Sequence, residues 1–276
     1  MYLEIIDPLV ECNACQNSFG LRKFRSAQDA VLVLREKLIH PKASEWILNA
    51  DITKCFDQIN HDFLLRSVLV YRKVDRSVLR KMLKAKVIDV NDLITPTMGI
   101  PQGGVLSPVL CNVALNGLKV MVKMKSKEVC KPILEFKGNP KVHVVRYADE
   151  FIVVGLSKNM LKVLKPYINS FLAERGLEIS KAKSSLFNIW EQEFEFLGFS
   201  FYKRRFNYKK RSETSWVKRS YKSTSRIIIK PSKDNLGKFT NKVCDTIKNH
   251  TDLSVFVLKL NEYLVWLSNL FCHNWG

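Results

Sequence analysis

The stretch VVRYADEFIVVG, residues 144–155, places two acidic residues and a tyrosine inside an otherwise apolar run. Apolar residues on both sides predict a β-hairpin whose tip lies near 147–150. Asp149 and Glu150 at this tip have two interpretations. Asp suits turns because its side chain hydrogen-bonds nearby backbone, whereas paired carboxylates bring together the oxygen ligands that hard divalent cations bind. The hairpin alone leaves both interpretations open.

The composition describes a folded chain with a large excess of basic residues. The 276 residues are 46% hydrophobic and 26% charged, which is typical of globular proteins with one large domain or two modest ones. The 45 Lys and Arg outnumber the 26 Asp and Glu, so the net charge is +19. This excess predicts a polyanionic partner, with nucleic acid foremost, although ribosome-associated and membrane-surface proteins share it. We expect no membrane partner, because no apolar run reaches the roughly 18 residues of a membrane span.

Hydrophobic periodicity predicts a mixture of helices and strands without an internal repeat. A capping box at 26–29 opens a helix. WILNADI at 46–52 predicts a buried strand that ends in an acid, and Asn60 is expected to cap the helix that follows. The other expected elements are helices at 76–86, 105–122, 159–176, 233–249 and 252–271, and a strand with a glycine bend at 194–202.

Residues 203–238 form the most basic stretch of the chain. Thirteen Lys and Arg face only Glu213 and Asp234 there, with aromatic residues interleaved. Cations neutralise phosphates and aromatic rings stack on bases, whereas a solvated basic loop is the simpler interpretation. The interleaving favours contact with nucleic acid. The candidate RNA-binding residues, here and near the N-terminus, are Arg22, Arg25, Lys203, Arg204, Arg205, Lys209, Lys210, Arg211, Trp216, Lys218 and Arg219.

A second acidic segment, ADITKCFDQINHDFLL at 50–65, carries Asp51 at a strand end and Asp57 just before a helix. A strand-end Asp that meets the tip of a neighbouring hairpin could form a two-metal site, which deprotonates a 3′-hydroxyl and stabilises a leaving phosphate oxygen. The segment GIPQGGVLSPVLCNVAL, 99–115, lies between the two acidic segments. Its glycines permit close approach of the backbone to a ligand.

In order and spacing, these segments resemble the reverse transcriptases encoded by group II introns, the maturase family. NSFGLRKFRSAQDAV, 17–31, is similar to the family's fingers segment NSFGFRPGRSAHDAI. The resemblance spans nearly the whole chain. The other similar segments are ADITKCFDQINH (50–61, first palm motif), GIPQGGVLSPVLCN (99–112, template-contacting motif), RYADEFIVV (146–154, metal-binding hairpin), LEISKAKSSL (177–186) and FEFLGFSF (194–201, next palm motifs), and IIKPSKDNLGKF (228–239) and LNEYLVWLSNLF (260–271, thumb).

The resemblance implies an α+β fold. We expect a right-hand polymerase palm, an antiparallel sheet with packed helices, together with partial fingers and a helical thumb-like C-terminal region. The implied domains are a remnant of the fingers at 1–45, the reverse-transcriptase palm at 46–202, and a basic linker with thumb-like helices at 203–276. The family's N-terminal fingers and its C-terminal DNA-binding and endonuclease parts are expected to be absent.

The resemblance also implies a role for individual residues. Asp51, Asp149 and Glu150 would be catalytic, and Asp51 and Asp149 would hold Mg²⁺ with the backbone carbonyl of Ile52. The implied nucleotide and template contacts are Phe56 as a steric gate against a 2′-hydroxyl, Pro101, Gln102 and Gly103 in the template and nucleotide pocket, and Lys183 near the triphosphate.

Departures from the family bear on activity. Glu150 stands where the family has a second aspartate, FRPGRS reads LRKFRS, and the GW of the thumb reads Val265-Trp266. The family's upstream basic block, which grips phosphates, is also expected to be absent, and electrostatic clamping is a large catalytic effect. We therefore expect a reverse transcriptase-like protein that binds intron RNA with impaired or lost polymerase activity. The alternative is an active RNA-directed DNA polymerase and maturase that supports intron splicing and mobility.

The expected partners are group II intron RNA, an RNA/DNA hybrid and another chain that supplies the missing fingers, with Mg²⁺ as the cofactor of an active enzyme. The seven cysteines are scattered and the N-terminus lacks a secretory pattern, which indicates reduced thiols inside a cell. The resemblance to short organellar maturase-like chains predicts an organelle, a mitochondrion before a chloroplast. The bacterial cytoplasm is the alternative.

Overall fold

The chain consists of two compact units. The computed structural model describes residues 2–39, 44–68, 75–85, 87–89, 92–94, 96–130, 140–209, 221–249 and 253–271. The first unit comprises residues 1–37 and 42–188, and the second comprises residues 38–41 and 189–276. Helices and antiparallel strands occur along the chain as the α+β class requires. The assignment of fingers, palm and thumb regions remains a prediction.

Helices surround a central sheet in the part of the chain that ends at residue 188. The helices up to this point are α1 (Tyr2–Asn13), α2 (Ala27–Ile39), α3 (Cys55–Gln58), α4 (His61–Val68), α5 (Arg76–Leu83), α6 (Ser107–Leu115), α7 (Leu118–Lys125), which continues into a π-helical turn (Ser126–Cys130), and α8 (Lys158–Ala173). The strands are β1 (Trp46–Asp51), β2 (Val87–Asp89), β3 (Asp92–Ile94), β4 (Val142–Tyr147), β5 (Glu150–Gly155) and β6 (Ser185–Asn188).

The first unit is built on an antiparallel sheet in the order β4-β5-β1-β6. β1 pairs with β5 along its whole length, from Trp46 opposite Gly155 to Asp51 opposite Glu150. Alternate residues such as Leu48 point to one face, where they join a large apolar cluster with residues of α4, α6 and α8. Burial of this face fixes the register, because a slip of one residue would turn Asp51 towards the core.

Two predicted helix starts are confirmed by their side-chain hydrogen bonds. At the start of α2, the Asp29 amide donates to Ser26 Oγ over 3.2 Å and the Ser26 amide donates to Asp29 Oδ2 over 2.8 Å. This is the reciprocal capping box that the sequence predicts. At the start of α4, the Phe63 amide donates to Asn60 Oδ1 over 2.9 Å. Both caps satisfy amides that a helix leaves unpaired at its first turn.

The single helix predicted at 105–122 is wrong, because the structure has two. α6 ends at Leu115, and α7 begins at Leu118. Gly117 between them has a φ of 91°, which lies in the left-handed region that a continuous helix cannot contain. The uninterrupted apolar composition predicts burial on all sides but does not predict where the helix breaks.

The second unit contains an antiparallel sheet in the order β7-β8-β9. The prediction of a basic linker is wrong for 203–209 and 221–231, since both stretches lie in paired strands; residues 210–220 lie outside the described residues. Alternation along a strand lets basic residues occupy one face while apolar residues cover the other. The predicted glycine bend is confirmed at Gly198, between the first two strands. The elements are β7 (Phe194–Phe196), β8 (Phe199–Lys209), β9 (Tyr221–Pro231), α9 (Lys233–Asn249) and α10 (Leu253–Phe271).

The two predicted C-terminal helices are confirmed as α9 and α10, which begin and end within a residue of the expected bounds. Among the described helices, none combines the length and the apolar character needed to cross a membrane.

Candidate metal and nucleotide site

The tip of the β4–β5 hairpin turns in two residues, Ala148 and Asp149. Tyr147 and Glu150 face each other on either side of this turn. Ala148 has a φ of 52°, a left-handed conformation that costs a residue with a Cβ about 1–2 kcal/mol. Such strain persists only where the surrounding structure imposes it. The tip is therefore held in place by its neighbours.

The hairpin tip meets the end of β1. Asp51 lies opposite Glu150 in the sheet, so their side chains share one face. Burial raises the pKa of Asp149, and the neighbouring Asp51 carboxylate raises this pKa further. Carboxylates that disfavour each other's charge are stabilised by a cation. The structure thus places Asp51 close enough to Asp149 to raise its pKa, and pairs Asp51 with Glu150 across the sheet.

Lys183 supplies a positive charge beside these acids. Its Nζ lies 2.8 Å from Asp51 Oδ2, and its side chain is 73% exposed. The hydrogen bond to Asp51 raises the pKa of Lys183, and the charge of Asp51 raises it further. Backbone pairing places this lysine, because the Ser180 amide donates to the Asp51 carbonyl over 2.8 Å and the Thr53 amide donates to the Glu178 carbonyl over 3.0 Å. Because this ammonium is exposed, a phosphate can reach it and replace Asp51 as its ionic partner.

The GIPQGG turn lies against α3. Gln102 Nε2 donates to Asp57 Oδ1 over 3.3 Å, and Phe56 is partly buried against the apolar cluster. Pro101, Gln102 and Gly103 are exposed. Gly103 has a φ of 82° and open space where a side chain would stand, which leaves its backbone accessible. The four predicted template and nucleotide residues of these two segments are therefore neighbours in the fold.

Two residues that the sequence interpretation missed fix the hairpin tip. Arg146 is only 5% exposed, and it donates to the Ala148 carbonyl over 2.8 Å and to Asn112 Oδ1 over 3.0 Å. Asn112, in α6, donates in turn to the carbonyls of Gly20 and Leu21 over 3.2 and 3.1 Å. The sequence signal for this role is an arginine inside an apolar strand. Burial of a charge is costly unless it is well paired, so such an arginine indicates hydrogen-bond partners elsewhere in the fold.

Gly20 permits the N-terminal segment to touch the tip. A Cβ at this position would overlap the backbone nitrogen of Ala148. The Phe19 amide donates to the Arg146 carbonyl and the Arg146 amide donates to the Asn17 carbonyl, both over 2.9 Å. The segment at 17–20 therefore supports the turn that carries Asp149.

The donor set fits a magnesium ion. Mg²⁺ binds through one or two protein carboxylates and keeps several waters, and Asp51 and Asp149 provide two carboxylates. The Lys183 ammonium against Asp51 shows that positive charge is favoured there. Within the described residues, no group of three or more His, Cys, Asp or Glu side chains could hold a metal ion, so the fit rests on these two acids. Ile52, whose carbonyl is the predicted third ligand, is 2% exposed and forms a β-bridge with Ile179.

The predicted RNA-binding residues near the N-terminus differ in their surroundings. The Arg22 side chain is 5% exposed, and its guanidinium donates to the Glu11 carboxylate and to the carbonyls of Cys15 and Ser18. This geometry gives Arg22 a structural role, because its guanidinium holds the segment between Glu11 and Ser18 together; its predicted RNA contact stays a prediction. Arg25 is exposed and remains a candidate.

In the second unit, β8 places Lys203 and Arg204 on opposite faces. Lys203 is 8% exposed, and its Nζ lies 5.3 Å from the centroid of the Trp190 ring. It shares the buried face with Phe199 and Phe201 because residues two apart point the same way, and its predicted RNA contact stays a prediction. Arg204 is exposed. The side chains of Arg205 and Lys209 and the whole of Lys210, Arg211, Trp216, Lys218 and Arg219 lie outside the described part of the structure.

Solved telomerase structures share this fold. Over 72% of the chain, the structure matches 43% of the apo telomerase of Candida tropicalis truncated from its C-terminal domain, with a TM-score of 0.53 and 18% identity. The telomerase of Candida albicans in complex with the TWJ fragment of telomeric RNA gives a TM-score of 0.51 at 15% identity, over 72% of this chain and 36% of that one. Likeness at such low identity shows the fold alone. The predicted α+β right-hand polymerase fold is thereby confirmed.

The sequence identifies the family within this fold. The chain belongs to the reverse transcriptase (RNA-dependent DNA polymerase) family, whose sequence profile matches residues 1–201. It is 28% identical to the COX1/OXI3 intron 1 protein of Saccharomyces cerevisiae, over 89% of this chain and 34% of that protein. It is 26% identical to the group II intron-encoded protein LtrA of Lactococcus lactis subsp. cremoris, over 80% of this chain and 45% of that protein.

These relatives confirm the resemblance to reverse transcriptases encoded by group II introns. The chain spans 34% and 45% of the length of the two relatives named. What the whole relatives do is therefore a matter of proposal for this chain.

Proposed function

We propose that this chain binds RNA, with group II intron RNA as its natural partner, and that by itself it extends DNA on an RNA template only weakly. One observation supports the second half of the proposal, weak extension. Asp51 and Asp149 meet at a strand end and a hairpin tip, while the residue opposite Asp51 is Glu150. Membership of the reverse transcriptase family supports an RNA template and an RNA/DNA hybrid as the product.

In this proposal, Asp51 and Asp149 hold Mg²⁺ together with the carbonyl of Ile52. A magnesium ion held by these groups would supply Lewis acidity, which makes a primer 3′-hydroxyl easier to deprotonate and stabilises negative charge on the leaving phosphate oxygen. Lys183 leaves Asp51 for the triphosphate, since its exposed ammonium already lies beside the acids. The chain's own contribution is to fix two carboxylates and one cation around the reacting phosphate.

The nucleotide and template contacts belong to the same proposal. Phe56, held against the core, acts as the gate that excludes a 2′-hydroxyl. Pro101, Gln102 and Gly103 contact the template and the incoming nucleotide. Support comes from the exposure of these three residues and from the hydrogen bond of Gln102 to Asp57, one residue after Phe56.

Glu150 is the reason to expect weak extension. Its additional methylene moves the carboxylate by about 1.5 Å relative to an aspartate. A misplacement of about 1 Å at a reacting centre costs on the order of 100-fold in rate. Because Glu150 is directly opposite Asp51 in the sheet, the displaced carboxylate lies at the proposed magnesium site.

An active RNA-directed DNA polymerase and maturase is the second candidate. It is favoured by the contact of 2.8 Å between Lys183 and Asp51, because in this candidate Lys183 binds the triphosphate and Asp51 is a magnesium ligand. Glu150 carries a carboxylate as well, and carboxylates are magnesium ligands.

Primer extension on an RNA template with Mg²⁺ tests these candidates. We expect weak extension by the natural chain, loss of extension in Asp149→Ala, and an increase of on the order of 100-fold in Glu150→Asp. RNA binding should be salt-sensitive and unchanged by Asp149→Ala. Strong extension that Glu150→Asp does not improve would favour the second candidate. Extension that requires a second polypeptide would identify a partner that completes the fingers, and absence of RNA binding would contradict the proposal.

We further propose that the chain acts in an organelle, a mitochondrion before a chloroplast. The Saccharomyces cerevisiae relative, which is named for an intron of COX1, supports this location. The bacterial relative LtrA supports the alternative, the bacterial cytoplasm.

A further inference from the structure

Phe24 is fully exposed in the segment that supports the proposed magnesium site. Its relative exposure is 102%, and its backbone has a φ of 59°. Within the described residues, no ring contact of Phe24 is present. A left-handed conformation disfavours any residue with a Cβ. The chain thus carries an aromatic ring where both the backbone and the solvent disfavour one.

The backbone that presents this ring is held on both sides. Before it, Arg22 donates to the carbonyls of Cys15 and Ser18. After it, Ser26 forms the capping box that starts α2. A ring on a fixed backbone loses little conformational entropy when it binds a ligand. Phe24 is therefore a preorganised platform and not a residue on a loose loop.

The surroundings of the ring carry positive charge. Lys23, beside it, is 70% exposed at its side chain while its Nζ contacts Asp7 Oδ2 at 2.8 Å. Arg25, on the other side, is exposed and lies over the Phe19 ring at 5.7 Å. An exposed ring between two cations is the arrangement with which proteins bind single-stranded nucleic acids, since cations contact phosphates while the ring stacks on a base.

The ring also lies near the hairpin tip. Gly20 packs against the backbone of Ala148, one residue before Asp149. Phe24 follows Gly20 by four residues, a separation that the chain spans in at most about 14 Å. The ring therefore belongs to the segment that contacts the turn before Asp149.

We infer that Phe24 stacks on a base of single-stranded RNA next to the metal site, with Lys23 and Arg25 contacting the adjacent phosphates. This inference rests on the proposed RNA binding and deepens it. The net charge of +19 favours this occupant over an apolar protein surface. In this inference, the contact with RNA accounts for a ring at a position where the backbone conformation disfavours any side chain. Conflicts between a residue and its local backbone are typical of functional sites.

The test compares Phe24→Tyr, Phe24→Leu and Phe24→Gly in the full chain, by fluorescence anisotropy with a labelled single-stranded RNA 12-mer. Phe24→Tyr keeps the ring and is expected to bind like the natural chain. Phe24→Leu and Phe24→Gly are expected to weaken binding by about 5- to 150-fold, the range of one stacked base. Leu258→Ala, which changes a residue 67% exposed in α10, is the control for loss of an exposed apolar side chain and should bind RNA unchanged.

Thermal unfolding separates loss of stacking from misfolding. Phe24→Gly relieves the left-handed strain and is expected to raise the Tm by about 2–4 °C while it weakens RNA binding. A variant that is more stable and binds less tightly has not lost affinity through unfolding. Binding by Phe24→Leu equal to that of the natural chain would overturn stacking, as would unchanged binding by Phe24→Gly.

The outcomes also distinguish this inference from the proposed function. If the natural chain binds RNA and all three variants bind equally, only the role of Phe24 is overturned. If the natural chain binds no RNA, the proposed RNA binding and the role of Phe24 are both overturned. A change from dimer to monomer in Phe24→Gly during size-exclusion chromatography, with RNA affinity unchanged, would assign the ring to a protein contact and overturn the inference.

Discussion

The two long hairpins of the chain use charge in opposite ways. In the β4–β5 hairpin, Arg146 is buried and hydrogen-bonded to the turn that carries Asp149, so its charge fixes geometry. In the β8–β9 hairpin, buried Lys203 alternates with exposed Arg204, so only part of its charge faces solvent. The number of basic residues in a segment therefore does not predict its capacity for RNA. The face of the strand on which each basic residue lies determines whether that residue can contact RNA.

The strongest test of this contrast removes one arginine from each hairpin. Arg146→Met leaves the Ala148 carbonyl and Asn112 Oδ1 without their donor. We expect the free energy of unfolding to fall by about 2–5 kcal/mol, because unpaired buried polar groups cost about 1–3 kcal/mol each. Urea unfolding measures this change.

Arg204→Met, on the exposed face of β8, is the matched control. Its expected effect on the free energy of unfolding is within about 0.5 kcal/mol, as for most surface substitutions. Equal effects at the two positions would break the contrast between a structural charge and an exposed one.

A pair of glycines gives the next largest effect. At Gly20, a Cβ would overlap the Ala148 backbone, so Gly20→Ala should destabilise the fold by about 1–3 kcal/mol and displace the hairpin tip. At Gly237, in α9, a Cβ would meet nothing within 4 Å, so Gly237→Ala should stabilise the helix by about 0.5–1 kcal/mol. Thermal unfolding should give opposite signs, and a stabilising Gly20→Ala would show that the N-terminal segment does not press on the tip.

The pH dependence of stability tests the acidic tip. Burial, followed by the charge of Asp51, raises the pKa of Asp149 above its ordinary value of 3.8. At pH values between 3.8 and the raised pKa, the folded chain binds more protons than the unfolded chain. The contribution of this carboxyl to the free energy of unfolding therefore falls as the pH rises through this window. Asp149→Asn should therefore gain stability over the natural chain across this window and keep the gain above it.

Unfolding temperatures measured from pH 4 to pH 8 would check this sign. Asp245→Asn, which changes an exposed acid of α9, is the matched control. Added Mg²⁺ should stabilise the natural chain more than Asp149→Asn, because binding to the folded state alone raises stability. A natural chain that gains stability from pH 4 to pH 7 relative to Asp149→Asn would contradict the raised pKa of Asp149.

What the sequence could predict depended on whether a residue's role is local. The strand that ends at Asp51, the hairpin tip at Asp149 and the caps at Ser26 and Asn60 follow from short-range patterns, and the structure confirms those elements. The break at Gly117 did not follow, because apolar residues continue at helical spacing on both sides of it and a single glycine inside such a pattern does not by itself end a helix.

The roles of Asn112 and Arg22 were not predictable either. Both depend on partners distant in the fold or on how many donors are already used. A basic stretch of sequence predicts RNA binding because the sequence alone does not show which of its cations are buried. Lys203 is the clearest case, since it lies among basic residues yet packs on Trp190.

Adjacent residues of β8 allow a finer test of the contrast, with the smallest expected effect. Arg204→Gln should lower the dependence of log Kobs on log salt by about one, the change for one lost phosphate contact, and leave the fold intact. Lys203→Gln should leave the salt dependence unchanged and lower stability by about 1–2 kcal/mol, because a desolvated cation–π contact is lost. RNA titrations at several salt concentrations, together with urea unfolding, measure both. Since the two residues are neighbours with the same charge, a salt dependence that falls equally in both variants would mean that net charge, and not the exposed face, determines RNA binding.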